Sequence, residues 1–234
     1  MPETITSYND VMEMLDSFLR EPIAFWDEFY RDREKPVPIF ANVPDENLAA
    51  YVQEGRLSPG KVLDLGCGAG RNALYLAAQG FEVDAVDLSG TSLEWARERA
   101  EKCNLSINFL HANIFNMELK DAAYDVIYDS GCFHHIAPHR RISYKELLDK
   151  GLKTGGHFGI TCFAAGGKWG GAELSDWEVY RTGSLMGGLG FTEERLITLF
   201  STLEPVEVRR MKDVKESEEL FGASDLLAGL FKRR

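Results

Sequence analysis

From Lys61 onward, short apolar runs alternate with longer stretches in which apolar residues recur three and four positions apart. The runs are KVLDL (61–65), FEVDAVD (81–87), INFLH (107–111), YDVIYD (124–129) and HFGITCF (157–163). Alternation of this kind marks βαβ units, so the chain is expected to be α/β, with a doubly wound, mostly parallel sheet and helices on both faces. Two later runs, PVEVRRM and DLLAGLFKRR, follow a helical piece at Thr192 to Ser201 and bring the expected sheet to seven strands.

The intervening helices carry their own signals. Arg71 to Gln79 reads as the first, and the second opens at Ser89, a good N-cap that sets Leu93, Ala96 and Ala100 on one face. Pro138 suits the first turn of the helix after the fourth strand. Upstream, Val11, Met14, Leu15, Phe18 and Leu19 at helical spacing, followed by Phe25, Trp26, Phe29 and Tyr30, predict one or two amphipathic helices. Pro36, Pro38 and Pro44 then forbid a continuous helix, and a further helical piece lies near Glu46 to Glu54. Residues 1–55 are therefore expected to form an N-terminal helical extension on a single domain spanning 56–234.

Composition narrows the function classes. At 234 residues and 44% hydrophobic content, the chain can bury one sizeable core. A net charge of -11 repels polyanions, which argues against a nucleic-acid partner. The four cysteines, at 67, 103, 132 and 162, form no CxxC pair and read as free thiols of a reducing compartment. No basic flank precedes an apolar stretch at the N-terminus, and no long apolar run follows, so the reading is cytoplasmic, without a membrane partner, as a monomer or homodimer.

The strongest local signal is Asp64-Leu65-Gly66-Cys67-Gly68-Ala69-Gly70, an apolar strand ending in a glycine-rich turn before a helix. Open α/β sheets bind ligands at such a place, where glycines allow close approach and the helix offers free N–H groups. A dinucleotide loop would need glycine or alanine where Arg71 stands, and Asp64 would repel a pyrophosphate yet could pair with an ammonium group. An amino-acid-bearing ligand suits the loop better; a plain tight turn is the other reading. Asp87 ends the second strand about 20 residues further on, the spacing of a ribose-binding carboxylate, with apolar Leu88 beside it. Alone, Asp87 reads equally well as a helix-capping residue.

VLDLGCGAGRNALYLAAQG followed by VDAVDLS resembles the class I S-adenosylmethionine-dependent methyltransferases, and GRN-x-LYLA is similar to their tellurite-resistance and thiopurine branch, as is the upstream WDEFY. The resemblance runs from about residue 25 to the C-terminus and implies a Rossmann-like sheet closed by an antiparallel hairpin, with S-adenosylmethionine as cofactor. It implies that Asp64, Gly66, Cys67 and Gly68 lie about the methionine moiety, Asp87 and Leu88 about the ribose and adenine, and Asn113 with Ile114 at the adenine edge, with Arg71 also among the cofactor-binding residues. The family usually has aspartate where Asn113 stands; an asparagine can still offer an acceptor to the adenine amino group. The end of the fourth strand would lie beside the methionine carboxylate and the transferred methyl, which brings in Asp129 and Ser130.

Methyl transfer from a sulfonium is an in-line displacement that proximity and alignment can carry without a metal. His134 and His135 are the candidate catalytic bases, though one could equally pack behind the strand and the other line a pocket wall; with His139 they also raise the idea of a metal cluster, for which no matching carboxylate spacing is present. Cys132 and Cys162 lack a partner that would activate them. Trp26, Tyr30, Phe40, His134 and Trp169, with Phe25, Phe29 and Trp177 nearby in sequence, are expected to form a lid and acceptor pocket, the alternative being simple helix packing. Arg31, Arg33, Arg140, Arg141, Arg181 and Lys168 could meet an anionic acceptor or lie solvated on the surface. An apolar pocket with few polar groups favours a small thiol or heteroaromatic sulfur acceptor. A noncatalytic S-adenosylmethionine sensor and an NAD-dependent oxidoreductase are the competing classes.

Overall fold

A computed structural model describes residues 4–234. Two N-terminal helices, α1 (Tyr8–Asp16) and α2 (Pro22–Arg31), form in place of one, because Pro22 has no N–H to continue α1. Proline instead suits the first turn of α2, whose free Ile23 and Ala24 N–H groups donate to the Glu21 carboxylate. A short turn at Pro38–Phe40 leads to α3 (Glu46–Gln53).

The strands and helices then alternate: β1 (Lys61–Leu65), α4 (Arg71–Ala78), β2 (Glu82–Asp87), α5 (Gly90–Lys102), β3 (Asn108–His111), β4 (Tyr124–Ser130), α6 (Arg141–Gly151) and β5 (Leu152–Phe163). α7 (Asp176–Thr182), α8 (Glu193–Leu199), β6 (Glu204–Arg210) and β7 (Leu226–Lys232) complete the chain. The seven strands lie in the order β3-β2-β1-β4-β5-β7-β6, with β7 antiparallel to both neighbours and the first five strands parallel. The Rossmann-like sheet and its antiparallel C-terminal strand follow the expected pattern.

Two details differ from it. β5 begins at Leu152, where residues 153–156 bulge out between the Tyr124–Leu152 and Val126–His157 pairs, with Gly155 at φ +78. α7 lies inside the glycine-rich stretch of 166–190, started by a capping box between Ser175 and Glu178 and stopped by Gly183 in the left-handed region.

Side-chain alternation along the strands divides the core. Leu63, Leu65, Ile127, Phe158 and Ile160 pack with α6, α7 and α8, while Val62, Val83, Ala85, Val126 and Tyr128 pack with α3, α4 and α5. α3 thus buries Leu48 and Tyr51 in the same core as the strands. α2 is fastened to the start of α5 by Asp27, which accepts from the Ser89 hydroxyl at 2.6 Å and the Thr91 N–H at 3.2 Å. α1 is fastened by Asp16 to His139 and Arg140. No described helix is long and apolar enough to cross a membrane.

Candidate functional site

The order 3-2-1-4-5 reverses direction between β1 and β4, and the loops leaving their carboxyl ends part there. The loop after β1 turns sharply enough to place Gly66, Gly68 and Gly70 at φ +65, +54 and +81, a region that side-chain-bearing residues rarely enter. Its shape is held by the Cys67 N–H on the Val86 carbonyl at 3.0 Å and the Gly70 N–H on the Cys67 carbonyl at 2.9 Å. A Cβ on Gly66 would strike Cys132, and one on Gly68 would strike the Tyr30 hydroxyl. The cleft above the loop is lined by Asp64, Gly66, Cys67, Gly68, Arg71 and Ser130, together with Tyr30, Ile39, Ala69 and Asn72.

Asp64 is 2% exposed and has no hydrogen-bond partner among the described residues, with Oδ2 fully buried. Burial pushes its carboxyl up to about 8, although the Arg71 charge pulls the other way. Arg71 is itself committed. One guanidinium nitrogen donates to Asp45 Oδ1 at 2.5 Å and to Ser130 Oγ at 2.8 Å, the other donates to the Val43 carbonyl at 3.2 Å, and the plane lies over the Phe221 ring at 4.5 Å. Asp45 also accepts from Tyr128 Oη at 2.7 Å and Asn72 Nδ2 at 3.1 Å. Sequence reasoning missed Asp45. Its place before a helix reads as a cap, but its side chain caps nothing there and reaches across to α4.

Asp87 closes the other side of the loop. Burial raises its carboxyl, yet Oδ2 accepts the Gly68 N–H and Oδ1 the Ser89 N–H, both at 2.8 Å, so it knits the glycine loop to α5 with further lone pairs still available. Leu88 is half-buried beside it, its carbonyl 2.9 Å from His111 Nε2. Asn113 Oδ1 accepts the Phe115 N–H at 2.9 Å and caps the short turn Ile114–Asn116; Ile114 itself is buried in the core.

Two expectations need correction. Asp129 does not face the cleft: alternation turns it to the α6 side of β4, where Oδ1 accepts from the Cys132 and Phe133 N–H groups at 2.9 and 3.2 Å and Oδ2 from Tyr144 Oη at 2.7 Å. Burial pushes this carboxyl up to about 7 against those hydrogen bonds. His134 is not placed to act as a base. Its Nδ1 accepts the Phe163 N–H at 3.2 Å, its ring stacks on Phe163 at 3.7 Å, and burial drives its pKa well down.

His135 is half-buried and lies edge-on to Trp26 at 4.8 Å; burial, reinforced by the Arg20 charge, holds it near 4, hence neutral at pH 7. His139 sits between Tyr180 Oη at 2.7 Å and Asp16 at 2.8 Å. Tyr30 and Phe40 stack at 5.5 Å, and Phe40 meets Trp95 of α5 at 5.0 Å. Trp169 is half exposed and stacks on Phe221, on the Arg71 side, instead of joining the Trp26 and His135 wall. Trp177 is 77% exposed on α7. Among the described residues, no group of three or more His, Cys, Asp or Glu side chains could hold a metal ion.

Residues 62–156 match the family described as a methyltransferase domain. The chain is 29% identical over 188 residues to phosphoethanolamine N-methyltransferase 1 of Arabidopsis thaliana, covering 75% of this chain and 38% of that one. It is 35% identical over 101 residues to the probable S-adenosyl-L-methionine-dependent methyltransferase TehB of Haemophilus influenzae, covering 43% and 35%. The crystal structure of Burkholderia thailandensis 1,6-didemethyltoxoflavin-N1-methyltransferase, with 1,6-didemethyltoxoflavin and S-adenosylhomocysteine bound, superposes with a TM-score of 0.65 at 21% identity, covering 100% of this chain and 93% of that one. The chain spans little more than a third of the length of either curated relative. The domain match over residues 62–156 and the shared fold make this chain similar to the class I S-adenosylmethionine-dependent methyltransferases, with a resemblance to their TehB-type members.

Proposed function

We propose that this protein transfers a methyl group from S-adenosylmethionine to a small-molecule acceptor, with a thiol or heteroaromatic sulfur favoured. The observation that carries the cofactor is the buried, unpartnered Asp64 carboxylate in the glycine cleft, since a buried acid without a partner is costly and an ammonium group would relieve it. In this reading Asp64 pairs with the cofactor's ammonium, the glycine loop admits its backbone-hugging methionine portion, Asp87 accepts from the ribose hydroxyls, and Leu88 and Ile114 flank the adenine with Asn113 at its edge. When bound, S-adenosylmethionine supplies an electrophilic methyl group on a sulfonium, open to in-line displacement.

The acceptor follows from the wall beneath α2. Trp26, Phe25, Phe29 and Phe163 make it aromatic, and His135 is its polar group. A neutral His135 can orient an acceptor but is a weak base, which suits a soft nucleophile that needs little help losing a proton. α2 serves as the lid of the N-terminal extension, held in its C-terminal half by Asp27 and by the Tyr30–Phe40 stack.

Titration calorimetry with S-adenosylmethionine and S-adenosylhomocysteine, on wild type and Asp64→Asn, tests the cofactor; a turnover screen of thiols and sulfur heterocycles tests the acceptor. Binding weakened about tenfold in the variant and methylated thiol in the screen are expected. Binding without turnover on any acceptor would favour the sensor instead. Trp26→Ala should weaken acceptor binding about tenfold, as expected for one large aromatic contact, and an unchanged KM would remove the lid role.

A further inference from the structure

Tyr30 has no part in the fold that requires its hydroxyl. The residue is 8% exposed, its ring held by the Phe40 stack and by the edges of Phe29, and Phe40 in turn rests on Trp95. The ring packing would be served as well by phenylalanine. Yet the hydroxyl has no hydrogen-bond partner among the described residues, lies against Gly68, and opens into the cleft that holds Asp64 and Ser130. The phenol oxygen therefore reaches the cleft with its hydrogen-bonding capacity unused, and aromatic neighbours clamp it in place.

The polar groups of the cleft sort into those already used and those left open. Arg71 and Asn72 are engaged with Asp45. Ser130 Oγ accepts from Arg71, which leaves its own proton to donate. Asp64 is free, and the Tyr30 hydroxyl can both donate and accept. A carboxyl that an ammonium would ionise, lining one cleft with two hydroxyls at a glycine turn and helix start, is complementary to a group that carries both an ammonium and a carboxylate.

We propose that the Tyr30 hydroxyl, delivered onto the glycine loop by the N-terminal extension, binds the amino-acid end of the cofactor together with Asp64 and Ser130. This rests on the methyltransferase reading and deepens it: the extension is part of the cofactor site as well as the acceptor wall, and Tyr30 discriminates ligands that carry an amino-acid end from those that lack one.

The test compares S-adenosylhomocysteine with 5′-methylthioadenosine, the thioether that keeps the adenosine and lacks the amino-acid end, by calorimetry on wild type, Tyr30→Phe and Ser130→Ala. Tyr30→Phe should weaken S-adenosylhomocysteine about threefold to tenfold, the worth of one hydrogen bond, leave methylthioadenosine unchanged and leave the ligand-free melting temperature unchanged. Ser130→Ala, which does not touch the extension, should show the same selectivity. Wild-type affinity in Tyr30→Phe, or an equal loss on both ligands, would overturn the assignment while leaving the cofactor reading intact. Failure of wild type to bind either ligand would overturn both.

Discussion

Asp64 and Asp129 stand at the carboxyl ends of adjacent parallel strands, both buried and both with carboxyls raised far above the ordinary range, yet their surroundings are opposite. Asp64 lies across from Tyr128 and Asp129 across from Leu65, so alternation sends one to the α3 and α4 side and the other to the α6 side. Three donors satisfy Asp129 and hold the turn after β4; Asp64 has none. A raised pKa alone therefore does not separate an acid that builds the fold from one that serves a ligand. The count of partners does.

The largest consequence falls on Asp129. Asp129→Ala would leave two backbone N–H groups and the Tyr144 hydroxyl buried without an acceptor, at a cost of about 1–3 kcal/mol for the less accessible ones, and a total loss of about 4 kcal/mol is expected. Urea unfolding measures it. A loss below about 1 kcal/mol would mean that the turn finds other acceptors and that the two aspartates are less different than their partners suggest.

Asp87 is the intermediate case, since it both holds the fold and borders the cleft. Asp87→Ala should cost about 2 kcal/mol of stability, from leaving the buried Gly68 and Ser89 N–H groups without an acceptor, and should also weaken S-adenosylhomocysteine. A variant that loses stability alone would assign Asp87 to the glycine loop's architecture and withdraw it from the ribose.

The parts of this design that lie along the chain were legible in the sequence, and the parts that depend on which face a side chain takes were not. The glycine loop, Asp87 and the strand sequence depend on local spacing, and the structure has them where spacing puts them. Asp129 follows Ile127 on alternate positions, so its face could be paired with that of Ile127, but nothing local says that α6 covers that face and the cleft opens on the other. Asp45 and Arg71 meet across 26 positions, a pairing that no short motif encodes. α7 was a missed local signal: Ser175 and Glu178 form a capping box that the surrounding glycines obscured.

Asp64→Asn should reverse the Asp129 result, leaving stability at neutral pH unchanged or slightly raised while weakening S-adenosylmethionine about tenfold, the loss of one charge-assisted contact. A variant that binds as tightly as wild type would show that Asp64 does not meet the ammonium. If instead it loses stability as Asp129→Ala does, the comparison between the two acids breaks.

The smallest effect, and the sharpest for the comparison, is in pH. In the ligand-free protein Asp64 stays protonated up to about 8, whereas an unfolded chain has lost that proton near the ordinary 3.8. Between these values the native state holds a proton that the unfolded state does not, so this contribution is fully present below about pH 4 and is lost as pH rises through about 8, at most about 1.4 kcal/mol per pH unit. Asp129 contributes in the same direction and is half titrated at about pH 7. Urea midpoints compared between pH 7 and pH 8.5 therefore report mainly Asp64: wild type should weaken more across that interval than Asp64→Asn, whose smaller loss is that of Asp129. An ammonium-bearing ligand favours the ionised carboxylate, so binding at pH 7 should release a proton from wild type and none from the variant, which calorimetry in buffers of different ionisation enthalpy would read directly. Equal proton release from both proteins would place the titrating group elsewhere and leave Asp64 as a buried acid with no ligand to answer it.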